Sequence, residues 1–289
     1  MWCISPTGIR NQLTMKIIRF DKMQGAGNAY LYVDARKEAI ENPGLLAAKI
    51  SDCHFGVGSD GLVLILHSAV ADFRMRMFNA DGSESAMCGN AARCVGKYVY
   101  EKKWTDKTEI SLETNSGIKT LGLQVMGDSV VKVSVDMDVP RLEAVDIPVN
   151  CPDAMNVPLE GMNFTCVSMG NPHAVTFVDN VAAFDVERTG RRVENHPLFP
   201  ERTNVEFAQI VAPDRIKMRV WERGTGETLA CGTGACATLV AAVLKGKAAR
   251  KATIELPGGE VEVAWNAKTN RVTLTGGAEW VFNGEYGIN

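Results

Sequence analysis

The sequence predicts an α+β (mixed α/β) protein made of two similar halves, each mostly β with one principal helix. Three observations carry that prediction. At roughly 150 residues per domain, 289 residues come to about two domains. At an offset of 143 residues the chain matches itself without gaps, as a duplicated domain would: FRMRMFNADGSESAMCGNAA at 73–92 lies over IKMRVWERGTGETLACGTGA at 216–235. Met75, Arg76, Glu84, Cys88, Gly89 and Ala92 are answered by Met218, Arg219, Glu227, Cys231, Gly232 and Ala235. Finally, both copies read as a half-buried strand of alternating apolar and charged residues, a turn, and then Cys-Gly opening a stretch of helix formers.

In chain order, residues 1–15 precede the first strand-like segment, have no counterpart in the repeat and read as an N-terminal extension. Gly27-Asn28 turns the chain into the β-rich run YLYVD, and a helix-like segment follows from Pro43 to Cys53. Gly56, Gly58 and Gly61 spell G-x-G-x-x-G, but the context is reversed for a dinucleotide site, helix before and strand LVLIL after, so they read as a turn. The strand FRMRMF leads through Cys88-Gly89 into a helix over Asn90 to Lys103, then a strand pair about Asn115-Ser116-Gly117 and the strand VVKVSV. Asp136, Asp138 and Pro140 then break the pattern. The first unit is taken as 16–132 and the second as 133–277, with the closing strand 278–289 available to complete the first. In the second unit Gly170-Asn171 falls on Gly27-Asn28 at the same offset, before AVTFVD. The strand IKMRVW, a helix over Thr233 to Lys247 and a strand pair about Pro257-Gly258-Gly259 follow.

A composition of 46% hydrophobic and 22% charged residues belongs to a folded globular chain. A net charge of −3 gives no field to steer it onto nucleic acid, so a small-molecule substrate is expected. The longest nearly unbroken apolar run, Ala235 to Leu244, is far short of the roughly 20 residues that span a bilayer. MWCISPTGIR has no basic region ahead of an apolar run, which predicts no secretory signal and a cytoplasmic chain. The eight cysteines then read as reduced thiols.

Two of those thiols carry the chemistry. Cys88 and Cys231 fall at helix starts, where unpaired N–H groups and the helix dipole are expected to lower a thiol's pKa and to hold an anion. Two such sites facing each other across a cleft would present two acid/base groups to opposite faces of one carbon, the requirement for inverting a stereocentre. Cys3, Cys53, Cys151 and Cys166 are assigned to packing, as are Cys94 and Cys236 inside the helices. C-x5-C and C-x4-C spacings lack the zinc knuckle, so no metal is expected, and no lysine signature calls for pyridoxal phosphate. An oxidised Cys88–Cys231 pair would be inactive.

The segment NADGSESAMCGNAAR at 79–93 resembles the signature of diaminopimelate epimerases. MQGAGN at 23–28, GVGSDG at 56–61, GNPH at 170–173, TNVEF at 203–207 and ERGTGETLACGTGA at 222–235 extend the resemblance over about 16–289 in family order. It implies two pseudo-symmetric domains, each a mixed β-barrel around a central helix, and a cofactor-independent interconversion of LL- and meso-diaminopimelate for lysine and cell-wall precursors, by a homodimer. Cys88 and Cys231 would be the two bases. Gly89-Asn90 and Gly232-Thr233 would hold the reacting carboxylate, and Asn28, Asn79, Asn171, Asn204 and Arg223 the amino and carboxylate groups, with Arg223 clamping the distal one. Glu222 and His173 would lie by the thiols and set their protonation. The chain departs from the family at Ala29, where Asp is usual, and at Gly61, the repeat-mate of Asn204, where many members have Gln. A histidine- or proline-type racemase on the same scaffold is the alternative, and an amino-acid binding or redox-sensing module without turnover a further one.

Overall fold

Alternating burial sets the strands. In the computed structural model, which describes residues 16–37 and 40–288, FRMRMFN and RIKMRVWE bury every second side chain on one face, as the repeat requires. The extension expected at 1–15 lies outside the described residues. The first half runs β1 Lys16–Gly25, β2 Asn28–Asp34, α1 Pro43–Ile50, β3 Gly61–Leu66, β4 Phe73–Asn79, β5 Glu84–Ser85, α2 Gly89–Glu101, β6 Glu109–Thr114, β7 Gly117–Met126 and β8 Ser129–Asp136. The second runs β9 Val157–Leu159, β10 Met162–Ser168, β11 Pro172–Phe177, α3 Val186–Glu194, β12 Asn204–Ala212, β13 Arg215–Glu222, β14 Gly226–Thr228, α4 Gly232–Leu244, β15 Lys251–Leu256, β16 Gly259–Trp265, β17 Val272–Gly276 and β18 Glu279–Ile288. This is a two-domain mixed α/β fold with one large mixed sheet.

The halves repeat in pairing as well as in sequence. β2 and β3 are parallel, as are β11 and β12; β4 runs parallel to β6, and β13 to β15. The equivalent strands β8 and β17 join the halves antiparallel, Val135 opposite Leu274. β18 returns to β1 over almost its whole length, from Gln24 opposite Glu279 to Lys16 opposite Ile288.

Each half is wrapped on its principal helix. α2 packs against β1, β2, β7 and β8, and α4 against strands from β10 to β17. Both helices are buried nearly all round: α4 is apolar on almost every face, whereas α2 also buries Asn90, Arg93 and Lys97. Small residues let the sheet close on them: Ala91, Ala92, Ala235, Ala237 and Ala241 are all fully buried. The enclosure fixes both helix N-termini at the junction of the halves, where α2 and α4 touch. No helix among the described residues is long and apolar enough to cross a membrane.

Candidate active site

Cys88 and Cys231 are the N-caps of α2 and α4, each with extended backbone. Glycine follows both for a reason of space. A methyl group on Gly232 would lie 3.1 Å from Leu274 and 3.8 Å from the Gly89 Cα, and one on Gly89 would lie 2.8 Å from Leu274. The two helix starts therefore meet over one leucine, and a side chain at either glycine would have to displace it. Between them is a cavity of about 170 Å³ walled by both cysteines. Asn28, Asn79, Gly89 and Asn90 reach it from the first half, and Asn171, Glu222, Gly232 and Thr233 from the second.

Three expected residues do not line this cavity. Asn204 is buried with its amide spent on backbone: its Nδ2 donates to the Pro172 carbonyl at 2.9 Å and its Oδ1 accepts the Arg223 N–H at 2.9 Å. Arg223 itself borders an adjoining cavity of about 810 Å³ that shares Ser85, Met87, Asn171 and Thr233 with the first. His173 lies one layer behind, wholly buried, its Nδ1 2.7 Å from Glu206 Oε1 and its Nε2 3.0 Å from Asn171 Oδ1.

Each thiol sits at the end of a polar chain, and the two chains match through the repeat. The Cys88 thiol faces Asn28 Oδ1 at 3.5 Å, which also accepts from Asn90 Nδ2 at 3.4 Å. Cys231 Sγ lies 3.5 Å from Thr233 Oγ1, and that hydroxyl accepts from Asn171 Nδ2 at 3.3 Å. The Gly234 N–H also reaches Cys231 Sγ, at 3.4 Å. Glu222, at the end of β13, accepts a hydrogen bond from the Thr228 hydroxyl across the β13–β14 turn.

Sequence reasoning missed Asp60, Tyr30, Glu206 and the role of Glu194. Asp60 Oδ2 accepts from Asn28 Nδ2 at 2.8 Å and from the Ala29 N–H at 2.7 Å, so the first turn is held by the carboxylate at the fifth position of GVGSDG. Tyr30 lines the cavity beside Asn28. Glu194, on α3, accepts from Gly224 N–H at 2.8 Å and from Trp221 Nε1 at 2.7 Å, tying down the turn that carries Glu222 and Arg223.

The expectation that the helix N-termini leave both thiols easily ionised needs correction. Burial raises the Cys88 thiol above its ordinary value; N–H groups of Ala91 and Asn90 pull it back, Glu222 pushes it up and Arg93 draws it down. Cys231 is raised further, by burial first and then by the carboxylates of Glu222 and Glu206, against Thr233 and the Gly234 N–H. At both sulfurs desolvation outweighs the dipole. Burial likewise raises the Glu222 carboxyl. Packing holds for Cys94, Cys166 and Cys236, which are buried, and for Cys151, half-buried against the core of the second half; Cys53 is exposed in the turn after α1, and the packing assignment fails at that residue. Cys3 lies outside the described residues.

The profile of the diaminopimelate epimerase family matches residues 20–143 and 165–281. The diaminopimelate epimerase of Methanococcus maripaludis (strain C5) is 56% identical over 277 residues, covering 94% of this chain and all of that protein. That of Acetivibrio thermocellus is 54% identical over 278 residues, covering 94% of this chain and 99% of its own. The chain belongs to the diaminopimelate epimerase family. Its members carry the name of an isomerase, and the fold extends well beyond them. A hydroxyproline epimerase from Agrobacterium vitis superimposes with a TM-score of 0.71 at 14% identity, covering 95% of this chain and 92% of that one. A phenazine biosynthesis protein from Bacillus anthracis gives 0.71 at 18% identity, covering 95% and 100%.

The two departures from the family pattern have a structural setting. A methyl group on Gly61 would sit 2.0 Å from the Phe78 carbonyl oxygen and 2.9 Å from the Tyr30 ring, so this chain has no room for a side chain there. Ala29 needs no carboxylate, because Asp60 already supplies one to the same turn.

Proposed function

We propose that the protein interconverts LL- and meso-diaminopimelate by a two-thiol, cofactor-independent mechanism in lysine and peptidoglycan precursor synthesis. The observation that carries this reading is the pair of Cys-Gly helix N-termini, one from each repeat, opening on a single small cavity. The reacting carboxylate would lie over the N–H groups of Gly89, Asn90, Gly232 and Thr233, which can stabilise the charge that spreads onto it as the α-carbon is deprotonated. One sulfur takes the α-proton and the other returns one to the opposite face. Glu222, Asn28 and Asn171 would receive the α-ammonium group. That cation, arriving between two desolvated thiols, favours the thiolate that burial disfavours.

The adjoining larger cavity supplies the length that diaminopimelate requires. Its second amino-acid group would extend past Asn171 and Thr233 to Arg223, whose Nη1 donates to the Glu201 carbonyl at 3.0 Å. Asn204 would act by holding the Arg223 backbone. The resemblance brings a cytoplasmic homodimer to this reading, and sedimentation velocity checks the dimer.

A substrate panel tests the proposal. LL-diaminopimelate, L-histidine and L-proline are each incubated with the protein without added cofactor, and products are separated by chiral chromatography. Formation of meso-diaminopimelate from the first alone is expected. Turnover of histidine or proline without turnover of diaminopimelate would transfer the site to another amino-acid racemase, and binding without turnover to a sensing module.

A further inference from the structure

The repeat is broken where buried charge stands behind the thiols. Position 93 is arginine in the first half and its mate at 236 is cysteine; position 206 is glutamate in the second half and its mate at 63 is valine. His173 likewise answers to Tyr30, and Glu222 to Asn79. The matched polar chains therefore end on opposite charges. From Cys88 the path runs through Asn28 and Asn90 to Arg93, a fully buried guanidinium whose Nη1 donates to Asn90 Oδ1 at 2.9 Å and whose Nε donates to the Gly277 carbonyl at 3.1 Å. No carboxylate pairs with it among the described residues. From Cys231 the path runs through Thr233, Asn171 and His173 to Glu206, also fully buried, with Oε1 on His173 and Oε2 without a hydrogen-bond partner among the described residues.

We propose that this broken symmetry makes the two thiols inequivalent before substrate arrives, with Arg93 favouring the thiolate at Cys88 and Glu206, with Glu222, holding Cys231 as the thiol, so that Cys88 is the first of the pair to ionise. The proposal rests on the two-thiol reading and adds to it which sulfur ionises first. The surroundings of each sulfur agree. Around Cys88 stand Tyr30 and Tyr32 on β2, Arg93 and Cys94 on α2, and Glu222 on β13. Burial keeps both tyrosines and Cys94 neutral, which leaves Arg93 as the cation against Glu222. Around Cys231 stand Glu206 on β12 and Glu222 on β13, with His173 on β11 behind Asn171. The negative charge of Glu222 beside Cys231 favours the sulfur that keeps its proton. The 3.5 Å contact from Cys88 to Asn28 Oδ1 belongs to the protonated form; the thiolate keeps the N–H groups of Asn90 and Ala91.

A direction of turnover follows. With Cys88 the first to ionise, the protein accepts first the epimer that presents its α-hydrogen to that sulfur. The C–H electron pair stays on the α-carbon while the proton passes to the Cys88 sulfur, and the Cys231 S–H then protonates the opposite face. Turnover ends with Cys88 as thiol and Cys231 as thiolate, so a proton must pass back through solvent before the same epimer reacts again.

The test reads ionisation without turnover. The protein is exposed briefly to iodoacetamide from pH 6 to 11, and initial labelling of Cys88 and Cys231 is quantified separately by peptide mass spectrometry. The plateau of each curve reports accessibility and the midpoint reports ionisation, so the lesser exposure of Cys231 does not confuse the result. Cys88 is expected to titrate at least one pH unit below Cys231, a tenfold difference in thiolate at low pH. Glu206→Gln, isosteric and hydrogen-bonding, should lower the Cys231 midpoint and leave that of Cys88 in place; Arg93→Met should raise the Cys88 midpoint. Arg93→Met puts a neutral group in a packed site, and if it does not fold, Glu206→Gln decides alone. Equal midpoints, a lower midpoint at Cys231, or a Cys231 midpoint that Glu206→Gln leaves unchanged would overturn the proposal. Labelling as expected in a protein that epimerises nothing would instead count against the functional reading.

Discussion

Glu194→Ala removes the acceptor that anchors the Arg223 turn. Its carboxylate is nearly buried and takes three donors: Trp221 Nε1 at 2.7 Å, Gly224 N–H at 2.8 Å and Arg202 Nη1 at 3.2 Å. Leaving the buried indole N–H without a partner costs about 1–3 kcal/mol, and the half-buried Gly224 N–H about 1 kcal/mol. The Arg202 contact adds little, because that side chain is 52% exposed and screened by solvent. The sum is about 3 kcal/mol, a large part of the 5–15 kcal/mol typical of a folded domain. Urea denaturation at pH 7 should show that loss, and Glu194→Gln, which keeps one acceptor oxygen, about half of it. With Gly224 untied, Arg223 loses its fixed place and KM for diaminopimelate should rise more than kcat falls. A loss under about 1 kcal/mol, or full destabilisation with unchanged KM, would refute the role given to this carboxylate.

Other consequences are as open to measurement. Asp60→Ala releases Asn28 and the Ala29 N–H, and should lower kcat/KM roughly tenfold, as expected when about 1.4 kcal/mol of positioning is lost, while a urea midpoint moves only slightly. Introducing the residue common in the family, Gly61→Gln, should destabilise the chain by about 2–4 kcal/mol through collision with the Phe78 carbonyl; a neutral or stabilising effect in thermal unfolding would contradict the packing. Burial raises Cys94 to about 11 and Cys166 to about 12, so the folded chain holds these protons more tightly than the unfolded one. That stability is complete below the unfolded thiol value of about 8.5 and is lost as pH rises toward the folded values. The urea midpoint should therefore be lower at pH 10.5 than at pH 8, and a midpoint that holds or rises would be contrary to it. Cys88→Ala and Cys231→Ala should each cut epimerisation about 10²–10⁴-fold while circular dichroism stays native.

The sequence made the halves legible because the duplication repeats both the strand pattern and the Cys-Gly helix start. α2 and α4 begin one residue before the Asn90 and Thr233 expected of them and end two or three residues early, at Glu101 and Leu244. Both hairpins fall at their predicted turns. Ten of the expected site residues line one cavity, since a motif fixes which side chains project from a helix start or strand end. What stayed hidden depends on pairing between distant segments. Nothing local marks Glu206 as buried, because within TNVEF it reads as the polar face of an ordinary strand. Asp60 was passed over inside a glycine turn, although a carboxylate in a tight turn commonly caps backbone N–H groups. The thiol pKa values were misjudged for a related reason: dipole and helix position are readable locally, whereas desolvation depends on how closely the second half covers the first.

The central claim is that two sulfurs act on opposite faces of one carbon, and isotope transfer tests it most directly. Protiated LL-diaminopimelate is converted in heavy water and both epimers are analysed by mass spectrometry at low conversion. The meso product should carry one solvent deuterium from the returning thiol, while recovered LL substrate carries almost none. Deuterium appearing in recovered LL substrate as fast as in product, or product retaining the original proton, would show a single group serving both faces and would contradict it.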